Sequence, residues 1–230
     1  MIDKSDMLSM LMSACTSVMG AQDELNEIDG KWGSANQGDT MTMLAQAIMG
    51  AASGSAKKKK KNGKDGGIKS LLGDVAEAVL GTEGGGMTAK LLGTWLEGMF
   101  ESAPEDDSDE MDELSLKDLF GGALKALEGE SDAREGDKTL MDTLIPATKA
   151  LVGSKGGLLD MLTAAAAAGD EGAEKTKKYG SKYGRAAKHG KKTVGTPDAG
   201  AMSMKYFLDG MLKALLSRKK PIRKKLRAAV

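Results

Sequence analysis

Asp29 and Asp39 bracket a loop rich in oxygen ligands, Ile28-Asp29-Gly30-Lys31-Trp32-Gly33-Ser34-Ala35-Asn36-Gln37-Gly38-Asp39-Thr40-Met41. Carboxylate, hydroxyl and amide oxygens are what a hard cation such as Mg²⁺ takes. Only the two aspartates bring charge, and a turn leading into a helix near Asp39 explains the same residues. Gly84-Gly85-Gly86-Met87-Thr88 opens onto an apolar helical stripe. Free N–H groups at a helix start favour anions and glycine admits a phosphate closely, although a linker capped by Thr88 is the plainer reading. Gly136-Asp137-Lys138-Thr139 reads as a charged loop and helix cap. In Gly184-Arg185-Ala186, then Gly190, Gly195 and Asp198-Ala199-Gly200-Ala201, Arg185 could clamp a phosphate. Asp198 could accept from a ribose hydroxyl or cap the last helix, and His189 reads as a solvated surface residue. Two phosphate-loop decoys fail. Asp39 stands where the P-loop lysine belongs after Gly33 and Gly38, and Lys69-Ser70 lacks the preceding glycine.

These residues fall at connections between helices. Apolar stripes at three- and four-residue spacing recur about eight times: Leu8–Met19, Met41–Ile48, Ile68–Val79, Leu91–Met99, Leu116–Leu127, Leu140–Val152, Leu158–Ala168 and Ala201–Leu215. Ile and Val total only 12 and aromatics eight, so a large sheet is disfavoured and a Leu, Met and Ala core predicts an all-α fold. Pro146 should kink or interrupt the sixth helix. Residues 51–67 read as a Lys/Gly-rich loop containing Lys57–Lys61, residues 104–113 as an acidic loop, and 175–197 as a long polar connection. One helical domain is expected over 1–217, followed by a basic tail over 218–230. The whole chain balances 33 basic against 33 acidic residues, yet 174–230 holds 17 basic and 3 acidic, and 101–142 holds 4 basic and 15 acidic. Cys15 and His189 are single, which excludes an internal disulfide and cysteine- or histidine-rich metal sites. No apolar run reaches the ~20 residues a bilayer span needs, and the N-terminus lacks a signal-peptide pattern, so a cytoplasmic setting is expected.

The chain resembles the nucleotide-binding L subunit of dihydroxyacetone kinase. The family's Asp-x₃-Gly-Asp-x-Asp-x-Gly-x₂-Met loop is matched at Asp29, Gly33, Gly38 and Met41. Its glycine turn is matched at Gly85, Gly86, Leu91, Gly93 and Thr94, with Thr88 for the serine. Gly136 to Ala147 looks like its Gly-Asp-Lys-Thr…Asp…Pro-Ala run, and Gly184 to Ala201 like its Gly-Arg-Ala…Asp-Pro-Gly-Ala ending. The resemblance implies an antiparallel up-and-down barrel of about eight helices with ADP or ATP at one open end. It implies metal ligands at Asp29, Ser34 and Asn36, and nucleotide contacts at Gln37, Gly38, Asp39, Thr40, Gly85, Gly86, Met87, Thr88, Leu140, Arg185, Asp198, Ala199 and Gly200. No residue is assigned as catalytic. Where the family holds two Mg²⁺ ions with three aspartates, Ser34 and Asn36 are neutral, so a weakened Mg²⁺ site is expected.

The function implied is phosphoryl transfer to a short ketose held by a K-type partner subunit, with an M-type phosphotransferase-system protein as a further partner in one form of the family. The alternative is a catalytically weakened regulatory or binding subunit. A third reading, basic segments on anionic lipid or nucleic acid, is disfavoured because few aromatics interleave with the lysines. Neither a nucleic-acid partner nor a membrane span is expected.

Overall fold

The computed structural model describes residues 1–57, 66–104 and 110–218. Most of the Lys57–Lys61 run, the middle of the acidic run and the basic tail after Arg218 lie outside the described residues. Nine α-helices are described: α1 (Lys4–Gly20), α2 (Gln22–Gly30), α3 (Gln37–Lys57), α4 (Ile68–Leu80), α5 (Gly86–Glu101), α6 (Glu113–Glu130), α7 (Met141–Gly153), α8 (Leu158–Lys175) and α9 (Ala199–Arg218). The fold is all-α, as the composition predicts.

Eight of these helices form a closed ring. α1 packs on α3, each helix from α3 to α8 packs on the next, and α9 closes on α1. Neighbours joined by short connections run antiparallel, which makes an up-and-down barrel. α2 is the ninth, and the apolar stripes give no sign of it. It buries only Leu25 and Ile28, too few positions to display a period, and leads directly into the oxygen-rich loop.

The stripes become the barrel interior: Leu11, Leu44, Leu72, Trp95, Phe120, Leu151 and Phe207 are all fully buried or nearly so. The seam between α1 and α9 is unusually close. A Cβ added at Gly210 would sit 2.4 Å from Ala14 Cα and 2.5 Å from the Ser13 carbonyl oxygen. Gly210→Ala gains ~1 kcal/mol of helix propensity. The backbone clash costs about 1–3 kcal/mol in a packed interior. The clash wins, so chemical denaturation should show a net loss of stability, and a variant at least as stable as the parent would refute the close seam.

Three local expectations need correction. α3 continues through Ala51–Lys57, so the loop expected from residue 51 begins later; Ala52 and Ser55 are buried against the barrel and hold that turn in place. The acidic segment ends in structure rather than in solvent. Glu110–Met111 (β2) pairs antiparallel with Ile2–Asp3 (β1), Met111 is fully buried, and Asp112 caps α6 by accepting from Ser115 N at 2.8 Å. Pro146 does not interrupt α7. Its ring leaves the Asp142 carbonyl without the usual donor, and Gly172 of α8 lies over that carbonyl, where an added Cβ would come within 2.0 Å.

Candidate functional site

Alternation around the ring gives one end a distinct chemistry. α3, α5, α7 and α9 all begin there, and their first residues meet at a single cavity of roughly 360 Å³. Asn36 and Gln37 enter from α3, Gly85 to Thr88 from α5, Thr139 and Leu140 from α7, and Asp198 to Gly200 from α9. A helix start carries N–H groups with no partner inside the helix and the positive end of its dipole. At α5 and α7 the residues before the helix, Gly85 and Leu140, provide no side-chain cap. The turn into α5 takes left-handed backbone at Gly84 (φ 82°) and Gly86 (φ 55°), which glycine adopts without strain. Asn26 Oδ1 accepts from Gly38 N and Asp39 N at α3, Thr139 Oγ1 from Met141 N at α7 and Asp198 from Ala201 N at α9, which leaves the uncapped glycine turn of α5 as the start open to an anion.

Gln37 ties two of those starts together. Its amide donates to Ser203 Oγ at 3.2 Å and accepts from Thr88 Oγ1 at 3.2 Å. Thr88 is therefore the third residue of α5 and not its cap.

The Asp29 loop uses much of its oxygen inventory internally. Asp29 Oδ2 accepts from the Asn36 backbone N–H at 3.0 Å and the Ser34 N–H at 3.2 Å, with Ala35 left-handed between them. Ser34 Oγ donates to Asn36 Oδ1 and accepts from the Arg185 guanidinium. Asp39 points elsewhere, accepting from Gln22 Nε2 and Asn26 Nδ2, each at 2.8 Å, and those bonds hold its carboxyl below the usual range. Among the described residues, no cluster of three or more His, Cys, Asp or Glu side chains could hold a metal ion. One carboxylate, two neutral side chains and a guanidinium do not fit a cage for two Mg²⁺ ions.

Behind the cavity, Lys138 organises the long connection. It is buried, its backbone is left-handed (φ 64°), and the three hydrogens of its ammonium are shared among the carbonyls of Thr176 (2.8 Å), Thr193 (3.0 Å), Tyr179 (3.2 Å) and Thr196. Burial pulls its pKa down, while Asp198 and Asp142 push it back up. One cation thus clamps both ends of the 176–197 strap, which contains the 3-10 turns Thr176–Lys178 and Arg185–Thr193 and carries Arg185 to the mouth. Asp137 pairs with Lys182 of the same strap, and buried Asp142 accepts from Gly136 N (2.6 Å) and Thr139 N (2.7 Å). The Gly136–Thr139 cluster is therefore an interior polar network and not an exposed charged loop.

Asp198 caps α9, accepting from Ala201 N at 2.8 Å, and burial pushes its carboxyl up to about 7 despite that bond. An unfolded aspartate titrates near ~3.9. The folded state therefore binds the proton more tightly, and the resulting stability is present in full below about pH 4 and lost as pH rises through about 7. Asp198→Asn keeps the cap and removes the titration. The wild-type melting temperature should fall relative to the variant's between pH 5 and 8, and parallel curves would refute the shifted carboxyl.

Of the residues expected at the site, Asp29, Ser34, Asn36, Gln37, Thr40, Gly85, Gly86, Met87, Thr88, Leu140, Arg185, Asp198, Ala199 and Gly200 line this one cavity. Gly38 and Asp39 do not. They face α2, where a Cβ on Gly38 would come within 1.9 Å of the Gln22 carbonyl. Lys138, Tyr183 and Trp32 line the cavity without having been singled out for it. Trp32 donates to Thr196 Oγ1 at 3.2 Å and packs on His189 with ring centroids 5.2 Å apart, so His189 is a packing partner and only partly exposed. A lone tryptophan inside a Gly-rich loop was the available signal for that contact.

The family model described as DAK2 domain matches residues 35–213. The dihydroxyacetone kinase of Pichia angusta is 27% identical over 219 residues, 91% of this chain and 34% of that protein. The L-erythrulose 1-kinase of Mycolicibacterium smegmatis is 32% identical over 192 residues, 82% of this chain and 32% of that protein. The chain thus spans about a third of the length of these relatives. The crystal structure of the dihydroxyacetone kinase from C. freundii in complex with AMP-PNP and Mg²⁺ superposes with a TM-score of 0.66 at 19% identity, over 90% of this chain and 33% of that one. That likeness establishes the fold.

Proposed function

We propose that this chain, which belongs to the DAK2 domain family, is the nucleotide-binding L-type subunit of a dihydroxyacetone kinase, acting with a K-type partner that holds a short ketose. The observation that carries the reading is the convergence of four helix starts on one cavity beside Arg185. Backbone N–H groups and a guanidinium are the donors a diphosphate requires, and Leu140 supplies an apolar wall for an adenine. Met87, 65% exposed, and Tyr183, 40% exposed, stand on the rim and support docking of a second protein over the mouth. ADP or ATP is the ligand; in the transfer step the terminal phosphoryl group of the triphosphate passes to the ketose hydroxyl on the partner, the hydroxyl proton is lost and ADP stays on this chain. This chain's residues bind and orient the donor; no step is assigned to Mg²⁺, which the loop does not fit. A phosphotransferase-system M-type protein is an alternative source of the phosphate.

A second reading is favoured by the Asp29 loop itself. With Ser34 and Asn36 neutral, bonded to each other and Ser34 also held by Arg185, the chain serves as a nucleotide-binding or regulatory subunit with little turnover. A coupled assay of ATP-dependent ketose phosphorylation, run with a K-type subunit with and without this chain, tests both. Turnover that depends on this chain supports the first reading. Bound nucleotide without turnover supports the second, and absence of nucleotide binding refutes both.

A further inference from the structure

We propose that the anion site at the barrel mouth takes its nucleoside polyphosphate free of divalent metal, with the Arg185 guanidinium as the resident cation. The proposal rests on the nucleotide-binding reading above and specifies the form of the ligand.

The first support is the number of available oxygens. Mg²⁺ takes about six oxygens in near-octahedral array, most of them water and substrate phosphate, and needs one or two protein carboxylates free to anchor it. The loop has a single carboxylate at the cavity, and Asp29 Oδ2 already accepts two backbone N–H bonds at 3.0 and 3.2 Å. Ser34 Oγ and Asn36 Oδ1 bond to each other, and Arg185 donates to Ser34 Oγ. Recruiting these atoms to a metal would mean breaking a set of bonds that closes on itself.

Charge is the second. A cage of three carboxylates carries three negative charges and stays unsatisfied until cations fill it. Here one carboxylate, Asp29, shares the cavity with one guanidinium, Arg185, which bonds to Ser34 between them, so the loop is near neutral. Lys138 also lines the cavity with its ammonium turned to the strap carbonyls behind it, next to the Asp198 carboxyl. A divalent ion entering beside Arg185 would meet a like charge, whereas an uncomplexed polyphosphate would meet an attractive one.

Geometry is the third. A guanidinium has five N–H donors in a fixed planar fork. One nitrogen donates to Ser34 Oγ, which draws the group to the loop and leaves further donors for phosphate oxygens. The strap carrying Arg185 is itself anchored at Thr176 and Thr193 by Lys138, so the backbone that presents this cation to the mouth is fixed.

Calorimetric titration of the full chain with ADP, in excess EDTA and in excess MgCl₂, tests this. The dissociation constant in EDTA should equal or better that in MgCl₂, and tightening by Mg²⁺ of more than about twofold overturns the proposal. Arg185→Gln, at an exposed position where folding is not at stake, should weaken binding in EDTA by at least about tenfold, and a smaller loss removes Arg185 from the role. The Ser34→Asp/Asn36→Asp double variant should become Mg²⁺-dependent, with ADP tightened about tenfold or more by the ion. If it remains indifferent to Mg²⁺, the neutral loop is not what excludes the metal and the proposal fails. Absence of ADP binding in both buffers would refute the nucleotide reading as well; binding that requires Mg²⁺ would refute only this inference.

Discussion

Replacing Lys138 by Met is expected to destabilise the protein by about 3–5 kcal/mol, the range found when a buried charge network loses one partner. For a chain of this size that corresponds to a fall in melting temperature of roughly 10 °C. Met fills nearly the same volume, so packing contributes little to the change. What disappears is the donor to four carbonyls, at Thr176, Tyr179, Thr193 and Thr196. Each buried acceptor left without a donor costs ~1–3 kcal/mol, less where water can enter. Relief from the cost of burying an ammonium, visible in the lowered pKa of Lys138, offsets part of that. The four carbonyls belong to one strap, however, and Asp142 and Asp198 lose their nearby cation in the same step, so the loss outweighs the relief. Hydrogen exchange should quicken across 176–197 while the α1–α9 seam stays protected, because the strap does not build the ring. A melting temperature within about 2 °C of the parent would show that the strap holds without its central cation.

The barrel was legible because its eight long helices bury a regular stripe, and a period of three to four residues survives any ambiguity about where a helix ends. α2 was not legible, since two buried residues in nine define no period. The continuation of α3 through Ala51–Lys57 was masked by small residues, Ala51, Ala52, Ser53 and Gly54, whose composition suggests a joint although their packing makes a helix. At the site, glycines and oxygens at helix junctions pointed to an anion-binding end, and the cavity does gather them. Direction was beyond reach. Asp39 lies in the same loop as Asp29, yet Gln22 and Asn26 turn it toward α2, and both partners sit on the helix the stripes did not reveal. Lys138 failed for a related reason. A lysine between two aspartates reads as solvated charge, and only the arrival of four carbonyls from residues 38 to 58 positions later in the chain makes it interior.

Trp95→Ala is expected to cost about 3–5 kcal/mol, and Trp95→Phe much less, with the difference reporting how the barrel interior is filled. The Trp95 indole is fully buried and stands edge-to-face against Phe120 (5.8 Å between centroids) and Phe207 (5.9 Å), joining α5 to α6 and α9. Truncation to Ala leaves a cavity that aromatic neighbours on two other helices cannot close without moving those helices. The indole N–H, however, has no hydrogen-bond partner among the described residues. An unsatisfied buried donor costs ~1–3 kcal/mol, and Phe removes that cost while keeping a ring against both neighbours. The smaller Phe ring forfeits part of the packing, typically by a similar amount, so the two terms nearly cancel. Urea denaturation of the three proteins should therefore rank them with Trp and Phe close together and Ala far below. If Phe destabilised as much as Ala, the indole N–H would have to be satisfied in solution, and a water inside the barrel would be required to do it.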